Sequence, residues 1–156
     1  MPSSALSWPA RALALLALTV ALTVALLASL LVVAPGADAS TPGSRVVAEA
    51  GKHRGKPYQY GADGPSRFDC SGFTKYVYSR FGKSLPHSSA QQYRVSRKVA
   101  KSAKQVGDLI FTRSSSGRIG HVGIYAGSGK FWVAPKTGDV VKLQKIYTSN
   151  YVVGRV

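Results

Sequence analysis

Residues 106–134 read VGDLIFTRSSSGRIGHVGIYAGSGKFWVA, and this stretch decides the fold. Val106-Gly107-Asp108-Leu109-Ile110-Phe111 predicts a turn followed by a strand. Ile119 to Tyr125 alternates as a half-buried strand does. Ala126-Gly127-Ser128-Gly129 predicts a hairpin turn, and Lys130 to Ala134 the next strand. Val140–Leu143 and Tyr151–Val156 complete a small sheet. Strands joined by such short turns run antiparallel.

Upstream the pattern is helical. In CSGFTKYVYSRF, residues 70–81, Phe73, Tyr76, Val77 and Phe81 recur at spacings of three and four, and Gly82 is placed to cap the end. Leu85-Pro86-His87-Ser88-Ser89 opens another helix carrying Ala90, Gln91, Gln92 and Tyr93. Arg45 to Lys52 predicts an amphipathic helix with Val46, Val47 and Ala50 on one side. Ser40 to Ser44 reads as a polar linker, and His53 to Arg67 as an irregular Gly-, Pro- and Tyr-rich loop. Helices followed by consecutive strands predict an α+β domain with an antiparallel sheet.

Residues 12–33 are a different object: ALALLALTVALTVALLASLLVV, without charge, Gly or Pro, preceded by Arg11. Pro35-Gly36 follows, then Ala37-Asp38-Ala39, an A-x-A signal. Residues 1–39 therefore read as a secretory signal peptide cleaved after Ala39. The competing reading is an uncleaved anchor, because the run is long enough to cross about 30 Å of hydrocarbon. Either way the expectation is an exported protein, secreted or wall-associated. It divides into residues 40–47 as linker and start of the first helix and residues 48–156 as the working domain.

The chain carries 21 Lys+Arg against 6 Asp+Glu, a formal net charge of +15. Only Arg11 and Asp38 lie before Ser40, so 20 basic residues face 5 acidic ones beyond it. Outside a cell such a surface attracts polyanions, first of all acidic wall polymers. The segment 94–104, with Arg94, Arg97, Lys98, Lys101 and Lys104, reads either as a solvated face or as part of that attraction. Specific nucleic-acid binding is not expected, since charge alone is non-selective and no aromatic stacking run accompanies it. The expected state is a monomer. The single cysteine excludes an internal disulfide framework and a four-cysteine zinc site. Three histidines and few carboxylates argue against a metal site, no phosphate-binding loop is present, and no cofactor is implied.

The chemistry rests on Cys70. It is a buried small hydrophobe, an intermolecular link or a working thiol. Its place at a helix start favours the last. Unpaired N–H groups there stabilise a thiolate, which is the nucleophile, and can hold an oxyanion. Gly72 would let a substrate approach the backbone. The base is sought among His53, His87 and His121. His53 reads as solvated, and His87 as a capping or exposed residue. His121 lies in a strand between Gly120 and Gly123, small neighbours that leave room beside the ring.

Taken together, GKPYQYGADGP (55–65), FDCSG (68–72), PHSSAQQ (86–92), VGDLIF (106–111) and GHVGIYAGSGKF (120–131) resemble the NlpC-type cell-wall peptidases. The resemblance covers residues 48–156 in order. It implies a papain-like fold with the catalytic cysteine at a helix start packed on a small antiparallel sheet. It implies cleavage of peptidoglycan stem peptides, commonly between D-γ-glutamyl and the diamino acid. Cys70 matches the family nucleophile and His121 its general base. Tyr58 matches the tyrosine lining the cleft. Asp69 and Ser71 match positions that bind the free amine of the stem peptide; Asp69 also reads as a helix N-cap.

One departure stands out. The family's third catalytic position follows the histidine by twelve residues and is usually polar. Here the string is Trp132-Val133-Ala134-Pro135, and Val133 cannot accept a hydrogen bond. Gln144 and Asn150 are substitutes by residue type. A catalytically weakened wall-binding relative is therefore the alternative reading.

Overall fold

The computed structural model describes residues 40–156. The expected signal peptide, residues 1–39, lies outside the described residues. Among the described residues no helix is long and apolar enough to cross a membrane.

Three helices precede the sheet. Helix α1 spans Pro42–Gly51, α2 Cys70–Ser79 and α3 Ser89–Val95. Each begins at a side chain that accepts a backbone N–H three residues on: Thr41, Asp69 and Ser88 respectively. Helix α1 starts three residues before the expected Arg45, inside the stretch read as linker. The Thr41 cap and Pro42, whose ring pre-sets φ for a first helical turn, explain the early start.

The strands are β1 Arg97–Val99, β2 Leu109–Arg113, β3 Ile119–Gly127, β4 Lys130–Val133, β5 Lys142–Lys145 and β6 Tyr151–Arg155. They form one sheet in the order β1-β6-β2-β3-β4-β5, every neighbouring pair antiparallel. The expected α+β architecture is the observed one. The β3–β4 hairpin turns at Ser128-Gly129, both at positive φ (50° and 67°), so its two-residue loop matches the twist of its strands.

Two strands differ from expectation. Strand β1 lies inside the basic run 94–104, whose charges suggested no strand; it is a short edge, and charge on an edge discourages pairing with other chains. The strand expected at Val140–Leu143 begins only at Lys142. Val141 exchanges backbone hydrogen bonds with Gly55 and Lys56 instead, so this segment ties the 55–58 loop to the sheet.

Strand alternation gives the sheet two apolar faces. One carries Leu109, Phe111, Val122, Ile124, Trp132 and Ala134 against Val46, Ala50, Phe73 and Val77 of the helices. The other carries a smaller cluster of Ile110, Phe131, Val133 and Val153. Each fully buried Phe or Ile contributes roughly 1.5–3 kcal/mol by leaving water. The first cluster presses α2 onto β3 and sets where Cys70 lies.

Candidate active site

Cys70 is the first residue of α2 and is half-buried. The backbone N–H groups of Val122, Ser71 and Cys70 itself act on its sulfur and favour the thiolate. They are outweighed by burial and by the Asp69 carboxylate, which push the thiol pKa up. The sequence expectation of a net thiolate-stabilising helix start is thus corrected: at neutral pH the group is a thiol and needs a base.

The Val122 amide that acts on Cys70 belongs to the residue after His121, so α2 abuts β3 beside the expected base. His121 is half-buried, with Phe131 edge-on at 6.5 Å between ring centroids. Burial lowers its pKa to about 4. It is therefore a neutral imidazole, competent to accept a proton. The β2–β3 register shifts at Gly120, since Thr112 pairs with His121 and Arg113 with Ile119. A bulge of this kind re-aims the side chain beside it.

The space around His121 is distributed differently from expectation. Nothing lies within 4 Å of where a Gly120 β-carbon would be. A β-carbon on Gly123, however, would lie 2.5 Å from Val133 Cγ1 and 2.6 Å from Phe131 Cδ2. Gly123 thus makes room for the neighbouring strand, not for a substrate. Gly72 is corrected likewise: a side chain there would overlap the Ala62 carbonyl, so its bareness lets the 61–63 loop pack on α2.

Asp69 is the most heavily engaged side chain. Gly72 N–H donates to Oδ1 at 2.7 Å and Ser71 Oγ to the same oxygen at 3.1 Å. Gly61 N–H donates to Oδ2 at 2.9 Å, and His87 Nε2 lies 2.9 Å from it. The N-cap reading is thereby realised. Asp69 keeps only 9% of its side-chain surface exposed, and Ser71 is buried beside it. Tyr58 is half-buried; its phenol pKa is raised by burial, then by the neighbouring Cys70 and Asp69 charges. The structure so gathers Tyr58, Asp69, Cys70 and Ser71 around the start of α2.

Other residues were missed or misread. His87 is neither a cap nor free, but the partner of Asp69. His53 is not solvated: it is 6% exposed, edge-on to Phe68 (5.3 Å) and Tyr76 (5.1 Å), with Glu49 Oε1 3.5 Å from Nε2. Burial first, then the Lys56 charge, lowers its pKa. Gln92 is fully buried; its amide donates to the Ser71 carbonyl at 2.9 Å and the Pro86 carbonyl at 2.8 Å, and accepts from Thr74 Oγ1 at 2.7 Å. It binds α3 to the start of α2. Its place at the end of PHSSAQQ was its only sequence signal.

Val133 is fully buried in the smaller cluster, on the sheet face of His121. Asn150 is not free to replace a polar residue there, because its Nδ2 donates to the Arg113 and Ser114 carbonyls (3.4 and 3.1 Å). Gln144 pairs with Phe131 across β4–β5, whereas the residue paired with Val133 is Lys142. A cavity of about 700 Å³ between α1, the end of α2 and β6 includes none of these site residues.

A cysteine at a helix start, set against a histidine-bearing antiparallel sheet, is the papain-like arrangement. The comparisons place it more closely. The profile of the NlpC/P60 family matches residues 55–153, and the chain belongs to that family. It is 49% identical over 114 residues to a probable endopeptidase p60 of Listeria grayi, covering 71% of this chain and 22% of that protein. The chain thus spans about a fifth of the length of this curated relative. The NlpC/p60 domain of the peptidoglycan hydrolase SagA superposes with a TM-score of 0.66 at 36% identity, covering 73% of this chain and 98% of that one. RipD of Mycobacterium tuberculosis, described as a non-catalytic NlpC/p60 domain protein adapted to peptidoglycan binding, superposes at 0.63 with 32% identity, covering 73% and 96%.

Proposed function

We propose that the chain is an exported cysteine peptidase that hydrolyses peptidoglycan stem peptides, at the bond between D-γ-glutamyl and the diamino acid. The observation that carries this reading is the meeting of α2 and β3: Cys70, the first residue of α2, packs against the cluster that holds Val122, the residue after His121.

With the thiol pKa raised and the imidazole pKa lowered, both groups are neutral in the free protein at pH 7. His121 takes the thiol proton as sulfur attacks the amide carbonyl. The helix-start N–H groups of Cys70 and Ser71 turn to the oxyanion as it develops and hold it. The imidazolium protonates the leaving amine, giving a thioester. Water, deprotonated by His121, then hydrolyses the thioester and restores the thiol. Tyr58 lines the cleft. Asp69 and Ser71 bind the free amine of the stem peptide, Asp69 through what its internal donors leave exposed. Residues 1–39 direct export, and the basic surface holds the domain to acidic wall polymers. All five acids beyond Ser40 are already engaged by basic side chains or histidines, which leaves most of the 20 basic residues uncompensated.

The test is digestion of purified peptidoglycan and free stem peptides, followed by new amines and fragment masses. Cys70→Ala should reduce cleavage at least 10⁴-fold, the scale on which loss of a nucleophile acts. A second reading, peptidoglycan binding without turnover, draws on the apolar side chain at Val133. Wall retention with no cleavage by the unaltered chain would establish it in place of the first.

A further inference from the structure

Beside the smaller apolar cluster of the sheet lies an open groove of about 440 Å³, lined by Lys104, Tyr125, Tyr147, Thr148, Ser149 and Tyr151 among others. No carboxylate lines it. Lys101 Nζ sits 4.6 Å over the Tyr151 ring and donates to the Ser149 carbonyl at 2.6 Å. Lys104 Nζ sits 5.4 Å over the Tyr125 ring. Tyr147, tilted against Phe131 at 6.1 Å between ring centroids, carries no ammonium; it is 62% exposed, its hydroxyl 3.5 Å from Thr112 Oγ1. None of these groups serves the chemistry described above.

The groove also has a fixed relation to His121. Tyr151 pairs with Thr112 across β6–β2, and Thr112 pairs with His121 across β2–β3. Directly paired residues share a face, and strands are about 4.8 Å apart, so Tyr151 and His121 stand in one row about 10 Å apart.

We propose that this groove is a second binding site, for a carboxylate-bearing polysaccharide. The proposal deepens the cell-wall reading and rests on it for the class of polymer. The C–H face of a sugar ring packs against Tyr147, while its carboxylates meet the ammonium groups of Lys101 and Lys104 and its hydroxyls those of Thr148 and Ser149. The same geometry disfavours a nucleic acid. A flat base stacks on an open aromatic face, and two of the three rings already carry an ammonium over theirs. A polymer held here runs within one row of His121, so the site would keep the domain beside its substrate.

The test is fluorescence anisotropy of the purified chain with a labelled oligogalacturonate, beside oligothymidylate of equal charge. The double variant Lys101→Glu/Lys104→Glu should weaken oligogalacturonate binding tenfold or more, and Tyr147→Leu about threefold to fivefold. Arg118→Glu/Lys136→Glu, with the same net charge but outside the groove, should leave it within twofold. Equal losses in both double variants would overturn the site in favour of diffuse attraction. Tighter oligothymidylate binding with the same sensitivity would replace the polysaccharide by a nucleic acid. Cleavage of free stem peptides is measured in parallel. Wild-type binding without cleavage would overturn the peptidase and leave the groove standing; cleavage with no groove-dependent binding would do the reverse.

Discussion

The two halves of the candidate site are built in opposite ways. Around Cys70 the geometry is held by polar groups: Asp69 takes donors from Gly61, Ser71, Gly72 and His87, and Gln92 clamps the Ser71 carbonyl. Around His121 it is held by shape: Phe131 stands edge-on, Val133 fills the space over Gly123, and the bulge at Gly120 aims the ring. A hydrogen-bonded network fixes direction as well as position, whereas apolar packing excludes volume and leaves a ring freer to turn. Cys70 is thus placed with more redundancy than His121.

The sharpest attack on this contrast is at Asp69. Asp69→Ala removes a cap and strands buried donors, and should cost about 2–4 kcal/mol of stability, read by denaturant unfolding. A cost below about 1 kcal/mol would show that the network is dispensable. On the other side, Gly123→Ala drives a methyl into Val133 and Phe131 and should cost about 1–3 kcal/mol. Adding Val133→Ala should recover part of that loss, because the clash is with Cγ1.

If the histidine lacks only a polar neighbour, Val133→Asn should raise the rate of stem-peptide cleavage about tenfold, equivalent to about 1.4 kcal/mol of barrier. An unchanged rate would mean that packing already orients the ring. The smallest effect concerns pH. Burial depresses the His121 pKa to about 4 and also lowers that of His53. Below pH 6.5 the unfolded chain therefore takes up protons that the folded chain refuses, and stability falls as pH drops toward 4. Melting temperature should decline by several degrees between pH 7 and pH 4.5, and His121→Gln should flatten part of that decline.

The helix-start cysteine was legible because its signals are local: Asp69 three residues before the amide it caps, and apolar residues at helical spacing behind it. The strand of His121 was legible because alternation is local too. His53 was misread because burial depends on Phe68 and Tyr76, brought to it by the fold. The His87–Asp69 pair spans 18 residues, and the β5 boundary was moved by a loop some 85 residues away. Edge strand β1 was hidden because charged side chains conceal a strand wherever pairing with β6 supplies its stability.

The sequence by itself determined the order of elements, the fold class and the basic surface, and it singled out Cys70 and His121 as the candidate pair, because each reading draws on short motifs. Tertiary structure alone decided the protonation state of those residues. Desolvation and the Asp69 charge outweigh the helix-start amides at Cys70, and desolvation neutralises His121. It also decided that the glycines beside the site accommodate protein, and that Tyr151, Thr112 and His121 share one row. These are sums over atoms distant in the chain, and only the packed sheet and helices bring those atoms together.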